Sequence, residues 1–293
     1  MLKRIIAFVI MLSCGASVLA DYPADRKAAL GLVNAGKNQE ALAAFTKLAE
    51  ASALEAQKTD ALEQAALCAS RLTKYDEAMD LAKQIPQAQM SKAVQMRLML
   101  ENRKHEELVA AFKGEDMSTW PEKAAGLACF CRGRAYMTMR DGKAAEADLK
   151  KAVDTLGEGE LRDQARLLLG EACRDLLNDD EKALAIFTEG IAKSQATYGW
   201  ICLTCITSSS AILVKQKKCD EALAVLGKVD FKAMVGAWKC NFILAYADVY
   251  AAQGKKAEAI ANLTEGLAGK DIQEWQKPRF QQRLKELQAE AKQ

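Results

Sequence analysis

One short motif recurs seven times along the chain at nearly constant spacing, and no other feature restricts the fold as much. Ala259 marks it in GKKAEAIANL. The pattern returns at Ala222 (CDEALAVL), Ala183 (DEKALAIF), Ala145 (GKAAEADL), Leu108 (HEELVAAF), Ala78 (YDEAMDLA) and Ala41 (GKNQEALAAF). The steps are about 37 residues, with one of about 30 between Ala78 and Leu108, a period that belongs to stacked repeats. Four residues beyond each marker stand Leu263, Leu226, Phe187, Leu149, Phe112, Ala82 and Phe45. Twelve residues before it stand the compact Ala247, Ser210, Gly133, Ala66 and Ala29. In the fifth unit the equivalent Gly170 is one residue further back, which predicts a longer turn around Asn178-Asp179-Asp180, and the third unit has Met96 instead.

The last copy, residues 240–267, shows what each unit is. Phe242, Leu244, Ala245, Ala247 and Tyr250 supply one amphipathic helix, and Ala259, Ile260, Leu263 and Leu267 a second. Gly254-Lys255 separates them where a helix C-cap belongs, since glycine accepts the left-handed conformation there. Helices this short need neighbours to cover their apolar faces. The small residue on the first helix lets the second approach closely, and the large residue on the second fills the gap towards the next unit.

Gly133 with Tyr136, Ala247 with Tyr250, and YDEA at 75–78 resemble the tetratricopeptide repeat family, whose pattern places a small residue on helix A, a large one three further on, and Ala, Phe and Ala on helix B. The resemblance covers nearly all of the chain beyond residue 20. It implies an all-α fold: a right-handed α-solenoid of about seven antiparallel helix pairs with a C-terminal capping helix. The pairs are expected near 22–52, 55–85, 88–113, 120–156, 160–194, 198–230 and 237–269, with the cap over 273–292. Pro23 and Pro121 fall where helices should begin, Pro86 where one should end, and Pro278 opens the cap. The GEG at 157–159 and the loop from Gly114 to Trp120 are the best breaks, and one continuous stack is the simplest reading.

Composition excludes several functions. Lys plus Arg number 41 against 39 for Asp plus Glu, so nothing draws the chain electrostatically to nucleic acid. No glycine-rich phosphate loop, HExxH or serine nucleophile elbow occurs, which argues against an enzyme, and no cofactor or metal is expected. His105, the single histidine, is read as an exposed turn residue. The N-terminus reads as an export signal over residues 1–20: Lys3 and Arg4 precede an apolar run from Ile5 to Leu12, and Val18-Leu19-Ala20 ends in small residues. The expected product is a soluble protein of the periplasm or cell envelope, without a membrane-spanning segment. A competing reading makes Cys14 a lipidated residue, because Met11-Leu12-Ser13-Cys14 resembles a lipobox.

Eight cysteines follow Cys14: Cys68, Cys129, Cys131, Cys173, Cys202, Cys205, Cys219 and Cys240. An even number in an exported chain invites disulfides, and by repeat phase Cys202 and Cys240 fall at similar heights on adjacent A helices. Cys202-x-x-Cys205 is open to a redox or metal-handling reading, though it lacks the preceding strand and the further ligands such sites use. The third reading treats the cysteines as small buried hydrophobes.

The resemblance also implies where binding occurs, because tetratricopeptide proteins recognise partners through A-helix positions lining a concave groove. One such position maps to Arg97, Arg134, Glu171 and Asp248, and adjacent ones to Phe130, Met137, Arg174 and Thr207. The Lys-and-Asn arrangement of the family's carboxylate-clamp members is missing there. The expected function is a non-enzymatic scaffold that binds an extended protein segment in this groove.

Overall fold

The computed structural model describes residues 22–194, 199–234, 236–269 and 272–290. Residues 1–20, with the export-signal reading and Cys14, lie outside them. Fifteen α-helices account for most of the described residues, and these contain no strand. Seven pairs follow in order: α1 (Tyr22–Asn34) with α2 (Asn38–Ala51), α3 (Glu55–Arg71) with α4 (Tyr75–Lys83), and α5 (Ala88–Glu101) with α6 (His105–Phe112). They continue with α7 (Glu122–Thr138) and α8 (Gly142–Thr155), α9 (Glu160–Asp175) and α10 (Asp180–Lys193), α11 (Trp200–Lys215) and α12 (Cys219–Leu226), and α13 (Ala237–Ala252) and α14 (Lys256–Ala268). A last helix, α15 (Lys277–Glu290), closes the series, with Pro278 in its first turn where a missing N–H costs nothing. It begins later than the cap expected from residue 273, because Gln273–Gln276 form a turn closed by the Gln276 N–H to the Gln273 carbonyl.

Each pair is built by the same local device. The residue five before each marker has a positive φ: Gly36, Thr73, Arg103, Arg140, Asn178, Lys217 and Gly254. The following N–H then reaches back to a carbonyl of the first helix, as Lys37 does to Leu32 (2.9 Å), Lys74 to Ala69 (3.0 Å) and Lys255 to Tyr250 (2.9 Å). This left-handed cap satisfies carbonyls that the helix end leaves orphaned and turns the chain into its second helix. The Asp179 N–H bonds the Cys173 carbonyl (2.9 Å), spanning one residue more than its counterparts, which is the longer turn expected in the fifth unit.

The marker side chains, Ala41, Ala78, Leu108, Ala145, Ala183, Ala222 and Ala259, are all fully buried. So are Phe45, Ala82, Leu149, Phe187, Leu226 and Leu263 one turn later, and Phe112 is nearly so. The small residues admit them: a Cβ on Gly133 would lie 2.8 Å from Leu149, and one on Gly170 still closer to Phe187.

Where the sequence suggested one stack, the helices gather into two compact units, 1–157 and 158–293, separated within the GEG segment. Gly159 there has φ +145°, backbone that a side chain would strain. In the first unit each A helix packs on its own B helix, on the preceding B helix and on the neighbouring A helices, α3 on α5 and α5 on α7. The second unit repeats this through α9, α11 and α13, and α15 packs on α14. Its core has two clusters. One gathers Leu203, Ile206, Leu213, Leu226 and Phe242, and the other Ile243, Leu244, Leu263, Phe280 and Leu287. The cap thus enters the core through Phe280 and Leu287.

Candidate functional site

The second unit carries a groove of about 680 Å³ whose lining comes from α9, α11, α13 and α15. Helical spacing explains how each element contributes. On α13, Asn241, Leu244, Ala245, Asp248 and Ala252 recur at three- and four-residue steps and form one stripe, while Phe242 and Val249 face the core. On α11 the stripe is Thr204, Thr207, Ser208, Ala211 and Val214. On α15, Arg279 and Arg283 stand one turn apart, next to the side that buries Phe280 and Leu287. The floor is therefore small and apolar, with Trp238 at one end and polar groups along the rim.

The charged groups are held in defined poses. Arg283 Nε donates to Asp248 Oδ1 at 2.7 Å, and its Nη1 to Glu286 at 3.2 Å. Arg174 forks onto Asp175 at 2.6 and 2.8 Å, reaches Ser208 Oγ at 2.9 Å, and sits 5.7 Å over the Phe187 ring. Arg279 donates to Asn241 Oδ1 at 3.2 Å, and among the described residues no carboxylate lies within ion-pair distance of it. Guanidinium groups so arranged present planar, always-charged donors along an apolar floor.

Seven helix pairs in one phase, each closed by the same left-handed turn and buried through the same two positions, decide the fold. The fold is tetratricopeptide-like. No family model matches the chain, and no curated protein does. Among solved structures it is similar to a tetratricopeptide repeat protein from Parabacteroides merdae, at 15% identity and a TM-score of 0.47, covering 92% of this chain and 99% of that one. It is also similar to the P58(IPK) TPR domain, at 16% identity and a TM-score of 0.25, covering 99% of this chain and 96% of that one.

On this tetratricopeptide-like frame, Arg174, Thr207 and Asp248 converge in the groove. Glu171, one turn before Arg174 on α9, is not part of the lining; it is half-buried, and burial pushes its carboxyl above the usual value. The other four predicted residues belong to the first unit. Arg97 is paired to Glu101 at 3.1 Å, and Glu101 also accepts from Ser70 at 3.2 Å. Arg134 is exposed and sits 5.6 Å over the ring of Phe130. Phe130 itself is buried, which corrects its expected place on a groove surface: its ring is core, and Arg134 covers it. Met137 is half-buried. Sequence reasoning missed Trp238, Asn241, Arg279 and Arg283. Asn241 was legible as seven residues before Asp248, on the same face of one helix. The two arginines lie in the segment expected to be a cap, where nothing in the sequence ties them to a groove.

No disulfide joins the eight cysteines of the described residues, so Cys202 and Cys240 are not linked to each other. Cys202, Cys205 and Cys240 are buried, and burial pushes the Cys202 thiol up and Cys205 to about 12. A reactive thiol needs the opposite shift. Among the described residues, no group of three or more His, Cys, Asp or Glu could hold a metal ion, and no helix is long and apolar enough to cross a membrane. His105 departs from the exposed turn expected of it: it is half-buried at the start of α6, with Nδ1 unpartnered.

Proposed function

We propose that this protein is a non-enzymatic interaction scaffold of the cell envelope, which holds an extended segment of a partner protein in the groove of its second unit. The observation that carries this reading is the groove's lining. Side chains from α9, α11, α13 and α15 meet along one channel, with small residues on its floor and hydrogen-bonding groups on its rim. An extended backbone can approach Ala211, Ala245 and Ala252 closely, while its side chains reach the rim. A frame whose helices are already packed loses little freedom on binding, which leaves more of the contact energy as affinity. The envelope assignment rests on the reading of residues 1–20 as an export signal removed near Ala20.

The test is site-specific photo-crosslinking in the cells that make the protein. A benzophenone side chain at Thr204, in the groove, is expected to trap one defined protein from the envelope fraction. The same probe at the exposed Thr264 on α14 is the comparison. Equal trapping from both positions, or none from Thr204, removes the groove as the binding surface. Recovery of the chain from the cytosol at full length, residues 1–20 included, removes the envelope assignment.

A further inference from the structure

We infer that the groove of the second unit selects acidic segments, and that the terminal helix, rather than the repeats, supplies this selectivity. The inference rests on the reading that the groove holds an extended protein segment. Its charged lining consists of Arg174, Arg279, Arg283 and Asp248, three cations against one carboxylate. The single carboxylate is engaged, since Asp248 accepts from Arg283 at 2.7 Å. Arg174 has Asp175 as its counter-charge. Arg279 is the exception. It is exposed, the one hydrogen-bond partner of its side chain among the described residues is the neutral Asn241, and it has no carboxylate in ion-pair range. A guanidinium in that state has donors left for a planar, bidentate acceptor, which in a protein segment is an Asp or Glu side chain or a chain-terminal carboxylate.

The placement of the arginines gives the second half. Arg279 and Arg283 both belong to α15, which is not a repeat helix, and Phe280 and Leu287 anchor that helix with no exposed surface. The repeats contribute the small floor and the hydroxyls of Thr204 and Thr207, which tolerate many segments. The terminal helix contributes the uncompensated charge. A basic segment would meet Arg279 as a like charge, and that repulsion adds to the discrimination.

The experiment is selection of a phage-displayed random dodecapeptide library on the full chain, followed by titration of the enriched peptides against three proteins. These are the parent, Arg279→Glu, and Ala211→Trp, which fills the groove from an exposed position; circular dichroism confirms that each stays helical. The expected result is enrichment of Asp and Glu, loss of binding to Ala211→Trp, and at least a tenfold weakening on Arg279→Glu. Neutral or basic peptides that are lost on Ala211→Trp leave the groove standing and overturn the acidic preference. Acidic peptides lost on Ala211→Trp but indifferent to Arg279→Glu overturn the role of the terminal helix. No enrichment, or peptides indifferent to Ala211→Trp, removes the groove reading and this inference with it.

Discussion

A Cβ on Gly170 would lie 2.4 Å from Cε1 of Phe187, closer than two carbon atoms can approach. Glycine at 170 is therefore what lets α9 and α10 pack at this separation. Gly170→Ala should gain about 1 kcal/mol of helix propensity and lose about 1–3 kcal/mol to overpacking, a net destabilisation. Gly31→Ala, in α1 with nothing within 4 Å of the new Cβ, should stabilise by about 0.5–1 kcal/mol. Urea midpoints moving in opposite directions are the expected outcome, and a shift of both in one direction would remove the packing argument.

The repeated turn gives a second prediction. Thr73 is exposed and β-branched at φ 60°, a conformation that L-residues adopt at a cost of roughly 1–2 kcal/mol. Thr73→Gly should stabilise the protein by about 0.5–1 kcal/mol, after allowing for glycine's greater freedom in the unfolded chain. Asn178→Gly should gain less, because asparagine tolerates the left-handed region. Thermal midpoints of the two variants test the order.

Arg132 and Asp148 form a bidentate pair across α7 and α8, at 2.6 and 2.9 Å, with side chains only 13% and 10% exposed. Arg132 also donates to the Phe112 carbonyl at 2.8 Å, so it ties α6 to the same pair. Asp148→Ala leaves a buried guanidinium without its counter-ion and should cost about 3–5 kcal/mol. Replacing both partners by leucine should cost less than that single change. A double variant as unstable as Asp148→Ala would contradict this.

Acid should weaken the first unit through Asp60. Burial pushes its carboxyl up, but hydrogen bonds from Arg26 (2.6 and 2.9 Å) and Tyr22 (3.0 Å) outweigh burial and hold it below the usual range. A carboxyl depressed on folding contributes stability that is complete above its unfolded value, about pH 4. That contribution disappears as pH falls through the lower folded value. Asp60→Asn should therefore be less stable at pH 7 and lose less between pH 5 and pH 2 than the parent does. Parallel pH profiles from chemical denaturation would rule out this contribution.

Thiol chemistry should follow burial. Cys131 and Cys205 are pushed to about 12, and Cys129 to about 11, by desolvation, whereas Cys219 is partly exposed at the start of α12. At pH 8 a thiol with a pKa of about 12 is ionised in roughly one molecule in 10,000, and the thiolate is the reacting species. Iodoacetamide labelling read by peptide mass spectrometry should find Cys219 modified first and Cys131 last. Early labelling of Cys202 and Cys205 would restore a redox reading.

What the sequence determined by itself was the repeat. The seven markers, the residues one turn beyond them and the compact residues before them lie a few positions apart on single helices, so helical periodicity alone says which face is covered. The turn in the fifth unit was countable for the same reason. Tertiary structure decided the rest, because it depends on helices far apart in the chain. Arg174 on α9, Asp248 on α13 and Arg279 and Arg283 on α15 share one groove only because the intervening helices stack as they do. The polar side of α15 looks the same in sequence whether it faces water or a channel. Phe130 and the cysteines depended on the same information: periodicity places a residue on a face, but the neighbouring helix decides whether that face is closed.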